Sequence, residues 1–224
     1  MDKRNKRRAG IYFTDQNKPY ISVTNILGII DKSALRYWFG RQVFRAVLKD
    51  PGIGEQDALA APYRRSKTAM SRGSLVHSVV ESFKETGNLV KGVPEQYKGY
   101  TQAFGKWVRD FQPVIGENEK TIYNEKEGYA GTLDMLAVVK GGNLVLDIKT
   151  GKDIYPESFL QTSAYLHGDG IKAEGTGVVL LKENGTYKFE LGEDEYETFL
   201  HAKALWEWRN RDMLNDINYY GDQK

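Results

Sequence analysis

Gly131-Thr132-Leu133-Asp134-Met135-Leu136-Ala137-Val138-Val139-Lys140-Gly141-Gly142-Asn143-Leu144-Val145-Leu146-Asp147-Ile148-Lys149-Thr150 is the stretch that decides how this chain reads. Two apolar runs flank a Gly-Gly pair, which predicts two short strands joined by a tight hairpin. A turn at Gly141-Gly142 sets Lys140 opposite Asn143, Asp134 across from Lys149, and Asp147 across from Leu136. Asp134, Leu136, Asp147 and Lys149 then share one side of the pleat. Leu133, Met135, Leu146 and Ile148 turn to the other, into the core. Two carboxylates and an amine would meet within roughly 5–8 Å. A slip of one residue would scatter them.

Facing carboxylates repel unless positive charge lies between them. Aspartate oxygens suit Mg²⁺ or Mn²⁺, and Lys149 would add a positive charge beside a phosphate. Taken alone, an Asp–Lys–Asp ladder on a sheet is an ordinary surface feature. Two helices flanking the hairpin add to it. Ser71 to about Lys84 carries Val76, Val79, Val80 and Phe83 at helical spacing, with His77 and Glu81 paired i, i+4 beside that stripe. Tyr155 to His167 repeats the pairing with Gln161 and Tyr165.

Further out, Tyr20 to Leu27 is apolar and Ser33 to Leu48 reads as a helix, followed by a Pro- and Gly-punctuated loop over 50–62. Pro94 opens a helix whose inner side holds Tyr97, Tyr100, Phe104, Trp107, Val108 and Phe111. Thr121-Ile122-Tyr123 is a short strand, with Glu125 just beyond it. Val178 to Leu181 and Tyr187 to Leu191 make a second hairpin around Asn184-Gly185, and 193–214 form a long last helix. The expected class is α/β, one domain behind a helical N-terminal part.

Composition narrows the chemistry. With 224 residues, 40% hydrophobic and 28% charged, the chain is of globular type. Cys is 0, which excludes disulfides, thiolate zinc, iron–sulfur clusters and a cysteine nucleophile. No apolar run approaches the roughly 20 residues of a membrane span, and no secretion signal opens the chain, so a cytoplasmic protein is expected. The net charge of +2 is uneven: residues 1–8 hold five basic residues and one acidic one. Residues 1–19 read as a basic tail, disordered at its start, and 20–224 as one domain. Arg64, Arg65, Lys67 and Arg72 run without an acidic residue into the His77 helix, as phosphate tracking requires. Lys152 joins them as a candidate DNA contact. Trp38, Phe39, Trp206 and Trp208 are candidate base-stacking rings, although aromatics at such spacing are more often core.

Gly73-Ser74-Leu75-Val76-His77-Ser78-Val79-Val80-Glu81, Gly131-Thr132-Leu133-Asp134, Asp147-Ile148-Lys149-Thr150 and Gln161-Thr162-Ser163-Ala164-Tyr165 together resemble the motif series of the PD-(D/E)XK nucleases, in their RecB-like branch. Ser22-Val23-Thr24-Asn25-Ile26-Leu27 is similar to the opening of the mitochondrial genome-maintenance and several phage exonucleases. The resemblance covers about residues 20–208. It implies a restriction-endonuclease-like core, a central mixed sheet flanked by helices, with residues 20–72 as a helical cap and 73–224 as catalytic core. It implies that His77, Asp134, Asp147 and the Ile148 carbonyl ligate Mg²⁺ or Mn²⁺, with Glu81 for a second metal or as an anchor. Lys149 would position or activate the attacking water, Gln161 and Tyr165 would brace the site or touch DNA, and Glu125 would support it from behind. The implied activity is a DNA exonuclease hydrolysing phosphodiester bonds of single strands or DNA ends by a metal-activated water. Alternatives are a structure-selective or site-specific endonuclease and a non-catalytic DNA-binding subunit. In the resembling exonucleases the cap makes the strand thread, so closed circles should resist.

Overall fold

A computed structural model describes residues 6–8, 10–90 and 92–220; the side chains of 6–8, 34 and 65–72 lie outside the described set. Among the described residues are eight strands in one mixed sheet: β1 (Lys6–Arg8), β2 (Ile11–Phe13), β3 (Pro19–Ser22), β4 (Val114–Asn124), β5 (Tyr129–Val139), β6 (Gly142–Lys149), β7 (Gly175–Leu181) and β8 (Tyr187–Gly192). The helices are α1 (Val23–Ile26), α2 (Ser33–Lys49), α3 (Glu55–Thr86), α4 (Lys98–Phe111), α5 (Pro156–Leu166), α6 (Tyr196–Arg209) and α7 (Arg211–Asp216). No described helix is long and apolar enough to cross a membrane.

Alternation along β6 sends Val145 and Leu146 to opposite faces, and each joins its own core. Val145 packs with Leu160, Ala164 and Tyr165 of α5 and with Phe199 and Trp206 of α6. Leu146, Met135 and Ile148 pack with Val76, Val79 and Val80 of α3 and with Tyr100, Phe104 and Trp107 of α4. The sheet is therefore covered on both faces, the expected α/β architecture.

The hairpin differs from its expected register. The turn is Lys140-Gly141, both at positive φ (49° and 87°), as a two-residue turn matched to strand twist requires. Val139 faces Gly142, Leu136 faces Val145, and Met135 faces Leu146. Sliding a two-residue turn by one position changes the register by two. Met135, Leu146 and Ile148 therefore keep their expected face while partners change, but Leu133, expected beside them, lies past the last β5–β6 pair and joins the other core, with Val145 and Tyr165. Asp134 comes level with Asp147, where Lys149 was expected.

Four other expectations need correction. Residues 6–22, read as the tail's end and the start of the cap, form three strands of the sheet, with β3 parallel to β5 through Ile21–Tyr129 and Ser22–Ala130. The loop and helix expected over 50–84 are largely one helix, α3, which runs through Pro62 in its interior, where the missing N–H removes one i→i−4 bond. The strand expected at 121–123 begins at Val114, through a polar segment of weak strand propensity. The last helix breaks at Asn210, whose side-chain amide turns back to the Trp206 carbonyl at 2.7 Å.

Candidate active site

The site forms where the sheet splits. β4 pairs with β5 along nearly its whole length, from Tyr129 to Val138. The other edge of β5 is taken by β3 at Tyr129 and Ala130 and by β6 from Met135 to Val139. Gly131 to Asp134 lie between them, where β6 leaves β5 and runs on beside β7. At the split the Asp134 Oδ2 accepts the Ile148 N–H at 2.7 Å, so a side chain replaces the ladder bond.

Asp147 is buried, and the Lys149 Nζ lies 2.9 Å from each of its oxygens. The hydrogen bond goes to Oδ1; Oδ2 is buried without one. Lys149 also donates to Gln161 Oε1 at 3.1 Å, and Gln161 Nε2 donates to the Tyr165 hydroxyl at 3.1 Å. The i, i+4 spacing on α5 thus makes a brace for the lysine. Gly131 is small because the Tyr165 ring lies against the strand: a Cβ there would stand 2.4 Å from Tyr165 Cε1.

His77 reaches the site from α3, its Nε2 3.8 Å from Asp134 Oδ2, while its Nδ1 hydrogen-bonds Glu119. Sequence reasoning missed Glu119. Asn118 opposite Met135 and Lys120 opposite Leu133 set it level with Asp134, and its φ of +51° is a conformation that side chains rarely adopt. His77, Glu119 and Asp134 each bring one ligand atom within 4.8 Å of the others. The alternating Glu117-Asn118-Glu119-Lys120 was the signal, obscured because polar residues argue against a strand.

Charge here is strained. Burial, then the neighbouring Asp147, pushes the Asp134 carboxyl up to about 7, although His77, the Ile148 N–H and Lys149 pull it down. The hydrogen bond to Glu119 raises His77 against the cost of burial, helped by Asp134. Burial opposes the charge on Lys149, but Asp147 and Asp134 outweigh it and its pKa is raised. Burial holds the Tyr165 phenol protonated.

Two hollows open on this cluster. One, of about 220 Å³, is lined by Thr24, His77, Glu119, Asp134 and Gln161; the other, of about 200 Å³, by Thr24, Lys32, Lys149 and Gln161. Thr24 sits at the β3–α1 corner, where Ser22 caps α1 by accepting the Asn25 N–H at 3.1 Å. The Ser22 to Leu27 segment is thus a wall of the cleft.

Other expected residues lie elsewhere. Glu81 is exposed, and Glu119 is the carboxylate that meets His77. Glu125 falls in the turn after β4, exposed, its N–H bonded to Asp169. Trp206 is core, whereas Trp208 is exposed. Trp38 and Phe39 are half-buried, edge-to-face with each other. Arg64 pairs with Asp57 one helical stretch earlier, so the basic run is not free of acids in space. The side chains of Arg65, Lys67 and Arg72 lie outside the described residues. Lys152 is exposed in the bend after β6, where Gly151 and Asp153 line the second hollow.

The donors fit a hard divalent cation. Carboxylates from two strands and one imidazole converge, and a buried carboxylate oxygen beside them has no hydrogen bond.

No protein-family model matches the chain, and no curated protein matches it in sequence. Among solved structures it is similar to an alkaline exonuclease (LHK-Exo) from Laribacter hongkongensis, at 10% identity and TM-score 0.49, over 90% of this chain and 91% of that one. LHK-Exo in complex with dAMP matches at 13% identity and TM-score 0.41, over 88% and 94%. A protein described as SSO0001 matches at 16% and 0.38, over 90% and 78%. All three scores fall below 0.5; the functional reading rests on the site's own geometry.

Proposed function

We propose that this chain is a metal-dependent deoxyribonuclease of the PD-(D/E)XK type, hydrolysing phosphodiester bonds of single-stranded DNA or DNA ends. The observation that carries the reading is the convergence, at one split in the sheet, of Asp134, Asp147 and Lys149 with His77 and Glu119. A structural charge ladder needs neither a second acidic strand nor an imidazole.

His77, Glu119 and Asp134 would hold Mg²⁺ or Mn²⁺, and the buried carboxylate of Asp147 would add negative charge beside them. Such an ion, when bound, would supply Lewis-acid stabilisation of the phosphoryl group. Lys149 places an ammonium next to the carboxylates, where it offsets charge developing on phosphoryl oxygens and orients an incoming water. Gln161 fixes that ammonium and Tyr165 fixes Gln161, so the positive charge is set in place before substrate arrives. The cleft walls from Ser22 to Leu27 exclude bulk water from one side.

The deciding experiment incubates the protein with end-labelled linear and covalently closed circular single-stranded DNA, in Mg²⁺, Mn²⁺ or chelator. Loss of label from linear strands in either cation alone is expected, with circles intact. Absence of cleavage in both cations sinks the nuclease reading. Rapid cutting of circles replaces the exonuclease by an endonuclease.

A further inference from the structure

Helix α2 carries Arg36, Arg41, Arg45 and Lys49 and no acidic residue. Its sheltered side chains are Trp38, Phe39, Gln42, Val43 and Ala46, one face of the helix, and Phe39 meets Tyr63 of α3 edge-to-face at 5.4 Å. The opposite face is apolar as well as basic. Tyr37 is 70% exposed, Phe44 62% and Leu48 64%, and the Arg41 guanidinium lies over the Tyr37 ring at 5.8 Å. An ordinary amphipathic helix would turn those rings inward and leave the arginines outside alone.

The helix also begins at the site. Lys32, its N-cap residue, lines both the Lys149 hollow and an open groove of about 720 Å³. That groove is walled by Ile29, Leu35, Arg36, Phe39 and Arg209. The groove adjoins the Lys149 hollow at Lys32, and that hollow adjoins the one beside His77 at Thr24 and Gln161. The acids beside Lys32 are already engaged: Asp31 bonds Arg36 at 2.8 Å, and Glu157 lies 3.6 Å from Lys32.

We propose that the outward face of α2, a helix that starts at Lys32 beside the site, binds single-stranded nucleic acid on its way to the site. The arginines hold phosphates, and Tyr37 and Phe44 are platforms on which unpaired bases stack. A duplex hides its base faces and would leave both rings idle. A second copy of this chain would bring two acid-free helices together, at a cost in like-charge repulsion. The proposal rests on the nuclease reading for what happens at the site, but the binding stands on α2 alone.

The test measures anisotropy of fluorescein-labelled (dT)20 with the full chain in chelator, as a function of salt. Tyr37→Ala/Phe44→Ala should weaken binding about tenfold or more with the salt slope unchanged. Arg41→Gln/Arg45→Gln should weaken it and flatten the slope by about 1.4, two phosphates' worth for a single strand. All four side chains are exposed, so both variants should fold, as circular dichroism and melting would verify. Unchanged (dT)20 affinity in both folded variants overturns the proposal. So does an equal loss on a blunt duplex, or a dimer that Tyr37→Ala/Phe44→Ala dissociates while (dT)20 affinity is kept. The wild type is assayed separately with Mn²⁺ on the dinucleotide d(TpT), whose single phosphodiester cannot occupy the site and the α2 arginines at once. Failure to cleave both d(TpT) and (dT)20 counts against the nuclease reading; the anisotropy result alone decides the binding on α2.

Discussion

Asp134 accepts the backbone N–H of Ile148 at 2.7 Å, and in doing so it takes the place of a strand. β5 and β6 part after Met135–Leu146, and this bond satisfies a donor that the parting would strand. One oxygen of Asp134 is thus structural, while the carboxylate as a whole belongs to the cluster. The two roles separate by substitution. Asp134→Asn keeps an acceptor and should preserve the melting temperature while abolishing cleavage. Asp134→Ala leaves Ile148 N–H unpaired and should cost about 1–3 kcal/mol in urea unfolding as well.

The same carboxyl makes stability depend on pH. Its pKa stands at about 7 when folded, against roughly 3.9 in an unfolded chain. Between those values the folded chain holds more protons than the unfolded one, so metal-free stability falls as pH rises from about 4 to 7. His77, raised by Glu119, contributes in the same direction at the upper end. Melting of the chelated protein from pH 5 to 8 should show this decline, and Asp134→Asn should flatten it. Mn²⁺ should raise the melting temperature more at pH 8 than at pH 5.5, since protons no longer compete. An equal rise at both values would remove Asp134 from the metal site.

Lys149→Ala should lower turnover by orders of magnitude and should also cost about 1–3 kcal/mol, because it strips a charged hydrogen bond from buried Asp147. Asp147→Asn should recover part of that stability in the double variant and none of the activity. Additive effects in this cycle would show that the pair is not coupled.

Glu119 tests strain and ligation together. Glu119→Gly relieves a left-handed residue at φ +51° and should leave the metal-free protein at least as stable. It should nevertheless shrink the Mn²⁺-induced rise in melting temperature. Glu119→Gln, which keeps the strain, should shrink it as well. A full Mn²⁺ response in both variants would return Glu119 to a structural role.

Gly131→Ala places a methyl carbon 2.4 Å from the Tyr165 ring. A loss of about 1–3 kcal/mol is expected from overpacking. Activity should fall as well, since the ring's displacement releases Gln161 and through it Lys149. Normal turnover in Gly131→Ala would break the proposed brace.

The side on which Asp134, Asp147 and Lys149 meet was legible because two-residue turns change register in steps of two, so an error in placing the turn left their face intact. The partners across the hairpin were not, since Gly141-Gly142 offered a more permissive turn than Lys140-Gly141 and φ is not written in the residue type. The apolar stripe of Val76, Val79 and Val80 identified the His77 helix, but Pro62 concealed how far that helix extends. Glu119 escaped because its strand is polar where it crosses the sheet's split, and local propensity could not see the pairing with β5. Glu81 was favoured over it on helical spacing alone; proximity along the chain stood in for proximity in space.

The parallel pairing of Ile21 with Tyr129 has a bearing on synthesis at the ribosome. β3 emerges early, yet its partner strand lies more than a hundred residues further along the chain, and their shared core includes Leu214 of α7. A nascent chain can pair β1, β2 and β3 with one another but leaves the other edge of β3 open until β5 is made, and long-range closure of this kind is slow. The Ser22–Thr24 wall docks only when that partner arrives. By this order, cutting power would come only after β5 and the helices packed behind it have been made.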